Sequence, residues 1–461
     1  MERMLGCSLA AWLGGADCKR PARPANVVLI LIDDLGWRDV SYMGSRFYET
    51  PAVDRLAREG IQFSKAYTCA PNCAPTRASL FTGQYTPRHG VYTVGSSARG
   101  ESRYRKLVPI ENRTVLDPES QTFPKLLARS GYRTAFMGKW HLGTDPETGP
   151  LAHGFELNIG GCQAGSPKSY FSPYQNPFLE NGPQGEYLTD RLTDHAVTFI
   201  EQNAREPFFL CLSHYAVHTP LQAKPDLVEK YESKPVNGCH DHAVYAAMIE
   251  SMDKSVARVC DTLDRLELAN NTLVIFYSDN GGYGPATCMD PLRGAKGMLY
   301  EGGIRVPLVM RWPDRIPAGK VSDAPVITVD LYPTLLDVCG IEPSSGWILD
   351  GVSLYKHICT GTEIGNRALY WHFPAYLQAY GGEGPWRTTP ASAIQVQNYK
   401  LIEYFEDGSI ELYDLSKDIS ESENLVNTLP EKRRQLMKKM IQWRQDVDAP
   451  IPTRKNPGYS P

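Results

Sequence analysis

The sequence predicts an α/β fold: a large sheet of mostly parallel strands covered by helices on both faces, with a small antiparallel α+β subdomain after it. Five strand-length runs are apolar at nearly every position, which leaves no face for solvent and reads as buried parallel strands. Amphipathic helical patterns lie between those runs, and this alternation points to helices packed on a sheet. After about residue 360 the texture shifts to shorter strands joined by tight turns.

The first run is NVVLILI (26–32), followed by RTAFM (133–137), PFFLCLS (207–213), TLVIFYS (272–278) and PLVMRW (307–312). The helical patterns include PAVDRLAREG (51–60), with Gly60 as its stop, TFPKLLARSG (122–131) and YAAMIESMDKSVARVCDTLDRLEL (245–268). RALYWHF (367–373), SAIQVQNYKLIEYF (392–405) and SIELYDL (409–415) read as the subdomain's strands, with Asp407-Gly408 at a hairpin. A charged helix at 429–447 closes the chain, and its charges read as a solvated face. Residues 1–24 read as an export leader: a short apolar run beside the small residues Gly14 and Ala16, too short to span a bilayer. That reading implies a periplasmic or secreted protein. The resulting division is a leader at 1–24, a main α/β domain at 25–362 and the antiparallel subdomain at 363–461.

A chain of 461 residues can bury a large core, and its 42% hydrophobic and 22% charged content is that of an ordinary globular protein. No segment beyond the leader is apolar enough for a membrane span. A net charge of −4 supplies no broad field for nucleic acid or anionic membranes, so any anion must be gripped by a local cluster. The eleven cysteines form no C-x-x-C pair, which excludes zinc-ribbon and thioredoxin chemistry. Most read as buried small hydrophobes, with room for one or two disulfides in an exported protein.

Ligands of open α/β sheets bind beyond the carboxyl ends of the strands. Four such ends deliver polar groups here: Asp33-Asp34, Lys139 with His141, His214 with His218, and Asp279-Asn280. The Asp33, Asp34, Asp279 and Asn280 set offers only oxygen, which suits Ca²⁺ (or, second, Mg²⁺) rather than zinc. Without a cation between them, three close carboxylates repel. Arg77, Lys139 and Lys296, together with two histidines, would form an anion pocket fit for a phosphate or sulfate ester. His89, His153, His195, His240 and His242 lack comparable company and read as structural. The loops at 160–177 and 374–390 are irregular and rich in proline and glycine, as pocket walls often are; the second ends near Arg387, and His372 directly precedes it.

Cys73 lies in CAPTRASLFTG, where Pro75 suits a first helical turn. A helix N-terminus favours negative charge and lowers a thiol's pKa. Three readings stay open at this point: a buried thiol or partner for Cys69, a thiolate nucleophile as in C-x5-R phosphatases, or the precursor of a modified side chain. Arg77 follows Cys73 by four residues, and a thiolate nucleophile leaves the aspartate cluster unexplained.

CAPTRASLFTG resembles the type I sulfatase signature, in which the cysteine is oxidised to formylglycine by a maturation enzyme. LIDDLGW, GKWHLG, HTPL, SDNGG and LRGAKG…EGGIRVP stand in the family's order, and with ELYDLSKDISESENLV the resemblance covers roughly residues 25 to 440. It implies the alkaline-phosphatase-like sandwich. It further implies Asp33, Asp34, Asp279, Asn280 and the formylglycine at Cys73 as calcium ligands, Arg77 as the residue that holds the formylglycine in place near the metal, and Lys139, His218 and Lys296 as the sulfate grip. In the implied mechanism the hydrated aldehyde attacks sulfur, His218 protonates the leaving alcohol, and His141 takes the proton whose removal expels sulfate. The substrate implied is a sulfated carbohydrate of galactose, N-acetylgalactosamine, algal or glycosaminoglycan type, attacked from its end. The implied partner is a formylglycine-generating or anaerobic sulfatase-maturing enzyme. Two alternatives are a formylglycine-dependent phosphodiesterase or phosphonate monoester hydrolase, and an unmatured binder of sulfated glycans.

Overall fold

The computed structural model describes residues 23–236, 238–381 and 384–460. Nearly all of the leader expected at 1–24 lies outside the described residues, as do Cys7 and Cys18. The main sheet has eight strands: β1 (Asn26–Ile32), β2 (Ile61–Phe63), β3 (Arg133–Gly138), β4 (Leu157–Ile159), β5 (Phe208–Ser213), β6 (Thr272–Ser278), β7 (Leu308–Arg311) and β8 (Lys320–Ser322). Their spatial order is β4-β3-β5-β1-β6-β7-β2-β8. β1 runs parallel to β5 on one side and β6 on the other. β7 runs against both its neighbours, β6 and β2. This corrects the expectation of a parallel strand at 307–312, because a uniformly apolar run reports burial on both faces and carries no information on direction.

Alternate residues of β1 feed two cores. Val28, Ile30 and Ile32 join one with helices α1 (Pro51–Glu59), α4 (Leu188–Gln202) and α5 (Ala243–Arg265). Val27, Leu29 and Leu31 join the other with α2 (Cys73–Thr82), α3 (Phe123–Arg129) and α6 (Leu331–Cys339). Each such side chain contributes about 1.5–3 kcal/mol of burial, so the strand is fixed from both faces. Gly60 does follow α1, but not as a left-handed cap: its φ is −141°. A Cβ there would stand 2.1 Å from the Met310 carbonyl oxygen, so glycine is required by the close approach of β7.

A second sheet is antiparallel, in the order β9 (Ala368–Phe373), β10 (Ala391–Val396), β11 (Tyr399–Tyr404) and β12 (Ile410–Asp414). Gly408, at φ +70°, turns β11 into β12. The last helix, α7 (Pro430–Asp446), buries Leu436 and Met440 against Ile394, Leu401 and Leu412 and turns most of its charges outward. Cys239 and Cys288 form a disulfide; Cys69, Cys73, Cys162, Cys211 and Cys260 are free and buried, and Cys359 is buried as well. Among the described residues no helix is long and apolar enough to cross a membrane.

Candidate active site

Because β3, β5, β1 and β6 are parallel neighbours, their carboxyl ends open on one edge, and the polar groups that follow them meet there. Lys139 Nζ donates to Asp33 Oδ2 at 2.6 Å, and Lys296 Nζ to Asp34 Oδ2 at 2.6 Å. Asn280 Nδ2 donates to Asp34 Oδ1 at 2.8 Å, while His218 Nε2 stands 3.6 Å from Asp34 Oδ2. Arg77 reaches in from α2: its Nε and Nη2 meet Asp279 Oδ2 at 2.9 and 2.7 Å, and its Nη1 donates to Ser213 Oγ at 2.6 Å. The sulfur of Cys73 and carboxylate oxygens of Asp33 and Asp279 lie within 4.8 Å of one another. The early aspartate pair and the later Asp-Asn step therefore share one site, although 245 residues separate Asp34 from Asp279.

The backbone is strained at this edge. Asp34 and His141 have φ of +62° and +64°, the left-handed region that side chains avoid without surrounding support. Gly165 supplies part of the packing on His141, since a Cβ on it would lie 2.5 Å from the imidazole.

Three carboxylates, on Asp33, Asp34 and Asp279, are matched by the charges of Arg77, Lys139 and Lys296, all close to or wholly buried. The repulsion expected among the carboxylates is thus offset within the protein. Burial raises Asp33 and Asp279, the latter to about 6. Asp34 is held below the usual range, because Lys296, His218 and Lys139 together outweigh the burial that raises it. Burial, then Lys139 and Arg77, keep His141 well below its ordinary value; burial and Lys296 bring His218 down to about 3. Burial also raises the Cys73 thiol, which corrects the lowering expected from its helix N-terminus: desolvation outweighs the helix end and the two nearby lysines.

Among the described residues, two buried oxygens, Asp33 Oδ1 and Asn280 Oδ1, have no hydrogen-bond partner. Oxygens left bare in a buried site suit a hard cation such as Ca²⁺. Asp33, Asp34, Asp279 and Asn280 could hold it. With the protein charges balanced, a divalent ion would leave the pocket net positive, as an anionic substrate requires.

Comparison with known proteins now bears on this site. The family model described as Sulfatase matches residues 25–341. The chain belongs to the sulfatase family. A second model, N-sulphoglucosamine sulphohydrolase, C-terminal, matches residues 295–446. A sulfatase of Formosa agariphila is 33% identical, over 93% of this chain and 89% of its own length. The human N-acetylgalactosamine-6-sulfatase is 33% identical over 78% of this chain and 71% of its own. The crystal structure of Ps i-CgsB in complex with k-i-k-neocarrahexaose superposes with a TM-score of 0.77 at 29% identity, covering 92% of this chain and 94% of that one. The fold is accordingly the alkaline-phosphatase-like one of the sulfatases, and the chain is a sulfuric ester hydrolase.

In this sulfatase the site opens into a cavity of about 320 Å³, lined by Cys73, His141, His218 and Lys296 and walled by Arg99 and Arg387. Two histidines flagged by their positions lie elsewhere. His214 is buried with its Nε2 2.9 Å from Ser255 Oγ, and His372 spans Ser392 Oγ and the Pro450 carbonyl. A strand-end position fixes depth along the sheet but not the face, and His214 turns to the α5 side. Arg99 went unread: it stands in the GSSARG loop, with no strand end or motif beside it to mark it.

Proposed function

We propose that this enzyme hydrolyses sulfate esters of carbohydrates, acting on a terminal galactose- or N-acetylgalactosamine-type sugar, with formylglycine at Cys73 and Ca²⁺ as the resident ion. One observation carries the reading: Cys73, His218 and Lys296 line one cavity, and buried Asp33, held by Lys139, has a carboxylate oxygen within 4.8 Å of the Cys73 sulfur. The names of the relatives and the sugar-bound neighbour support a carbohydrate substrate, and a concave pocket supports attack at a chain end.

Formylglycine formed at Cys73 would supply the hydroxyl nucleophile, and an ion held by Asp33, Asp34, Asp279 and Asn280 would add positive charge to the site. Lys296, which lines the cavity, and Lys139, behind it on Asp33, would offset the charge that builds on the sulfuryl oxygens in the transition state; losing one such contact costs about 2.7–4 kcal/mol of barrier. His218 Nδ1 lies 2.7 Å from the Thr219 carbonyl, which it meets as a donor and which turns Nε2 to the pocket. From there His218 gives a proton to the leaving oxygen, the anionic ester offsetting the burial and lysines that disfavour its charged form. His141, kept neutral by burial and its cationic neighbours, takes the proton whose removal releases sulfate. Arg77 fixes Asp279 and the end of β3 through the Lys139 carbonyl. Cys73 is only 2% exposed, so a maturing enzyme must reach it before the fold closes.

The test joins peptide mass spectrometry of Cys73 with turnover. Co-expressed with a maturing enzyme, the protein should carry the aldehyde and release sulfate from sulfated sugars faster than it cleaves an aryl phosphodiester. Cys73→Ala should fold normally and turn over nothing. A thiol that stays intact under those conditions, or a preference for the phosphodiester, would overturn the reading.

A further inference from the structure

Arg99 and Arg387 line the same cavity as Cys73 and Lys296, yet come from opposite ends of the chain. Arg99 follows the loop after α2; Arg387 lies in the short strand Trp386–Thr388. The two segments are pressed together: a Cβ on Gly100 would fall 2.5 Å from the Trp386 ring, and Tyr376 N donates to the Ser97 carbonyl at 2.9 Å. Each guanidinium is positioned by neutral groups. Arg99 Nη2 donates to the Val94 carbonyl at 2.5 Å. Arg387 Nη1 donates to the Lys296 carbonyl at 3.0 Å, and its guanidinium lies 3.7 Å from the centre of the Tyr380 ring. Among the described residues neither has a carboxylate partner, whereas Arg77, Lys139 and Lys296 each have one. Burial lowers the pKa of Arg99, and the charge of Arg387 lowers it further, as expected of like charges sharing one wall.

We propose that Arg99 and Arg387 form a subsite for a second anionic group on the substrate, a sulfate or a carboxylate, beside the sulfate to be cleaved. The inference rests on the sulfate-ester reading and deepens it by naming a doubly anionic sugar as the substrate class. Guanidinium forks match the oxygens of both groups, and each side chain keeps donors free after its bonds to carbonyls. An anion between them also removes the repulsion of two unmatched cations, which makes the bound state favourable beyond the hydrogen bonds alone.

Calorimetry on full-length Cys73→Ala protein in calcium buffer tests this. Two pairs of probes are used: N-acetylgalactosamine 6-sulfate against its 4,6-disulfate, and the 6-sulfated sugar alone against its glucuronate-linked disaccharide. A second anion should tighten binding by about 10- to 100-fold in at least one pair, and the pair that responds distinguishes sulfate from carboxylate. Adding Arg99→Gln should remove most of that gain, weakening the doubly anionic probe far more than the singly sulfated sugar; Arg99→Lys should restore part of it. Arg387→Gln is a second probe, its folding checked by circular dichroism, and Arg99→Gln decides alone if Arg387→Gln misfolds. No gain in either pair, or a gain that survives Arg99→Gln, overturns the subsite. Turnover of 4-nitrocatechol sulfate by matured wild type is read in parallel. If that fails while the binding preference holds, the sulfate-ester reading falls and the subsite stands.

Discussion

Asp33 bears two opposed demands. Its Oδ2 accepts from Lys139 at 2.6 Å, while its Oδ1 is buried with no hydrogen-bond partner among the described residues. An amide at this position keeps the shape, removes one negative charge and weakens both contacts. Asp33→Asn should therefore lose bound calcium by elemental analysis and lower sulfate release at least a hundredfold, with the far-ultraviolet spectrum unchanged. Calcium retained at wild-type stoichiometry would place the ion elsewhere. Much of this site was legible in the sequence, because residues that follow parallel buried strands must share an edge. What escaped was set by contacts no local pattern encodes. Arg99 reaches the pocket only because Ser97 and Gly100 dock on a segment nearly 300 residues later, and the unexpected rise of the Cys73 thiol reflects a depth that helix position alone does not report.

At the scale of elements, the strands and the helix limits were readable from the sequence, and the groups that cap a helix from far away were not. β6 falls at 272–278, where the apolar run stands, and β1 at 26–32. Strand direction left no trace, so β7 had to be corrected. The start of α1 falls at Pro51, where the pattern begins, but its cap is not local. Its first N–H groups, on Ala52 and Val53, donate to the carboxylate of Asp253 on α5, about 200 residues away. A carboxylate suits a helix N-terminus, but burial dominates here and raises Asp253 to about 7. The folded state thus binds this proton more tightly than the unfolded chain. The stability it contributes is full below the unfolded carboxylate pKa of about 4 and is lost as pH rises toward 7. Asp253→Asn mimics the protonated form at all pH values. Thermal unfolding should show the variant below wild type at about pH 5, by roughly 0.5–2 kcal/mol for a weakened cap. The gap should close as pH rises toward 7 and reverse by about pH 8, because a carboxylate raised to about 7 then costs wild type more than the cap contributes. A gap that widens with pH would mean that the charged cap, not its burial, governs.

Across the whole molecule, the proposed boundary at 362 separates the sheets but not their cores. Tyr67, Leu299, Ile304 and Val329 pack in one cluster with Trp371, Phe373 and Ile402 of the second sheet. The same seam holds a buried charge network. Lys400 Nζ, on β11, lies 3.0 Å from Glu301 Oε1 and 2.8 Å from Glu421 Oε1, all three side chains fully buried. Glu421 Oε2 also accepts from the Glu301 N–H at 2.7 Å. Glu301 is five residues from Lys296, so this network anchors the segment that carries a lysine of the candidate site's cavity. Nothing in the sequence marked Lys400, which sits in an ordinary strand of mixed polarity; its role exists only once the two sheets meet. Removing it leaves Glu301 with Arg305 and Tyr67 but takes from Glu421 its cation. Burial, with Glu301, already raises Glu421 to about 7 while Lys400 holds it down; without Lys400 it must rise further. A folded pKa above the unfolded one means stability that falls as pH increases. Lys400→Met should consequently cost about 3–5 kcal/mol near pH 8, the range for breaking a buried ion pair by one partner. The deficit should shrink toward about pH 5, where Glu421 takes up a proton in the variant. Denaturant midpoints at the two pH values measure it, and a deficit independent of pH would show that Lys400 acts through packing rather than charge.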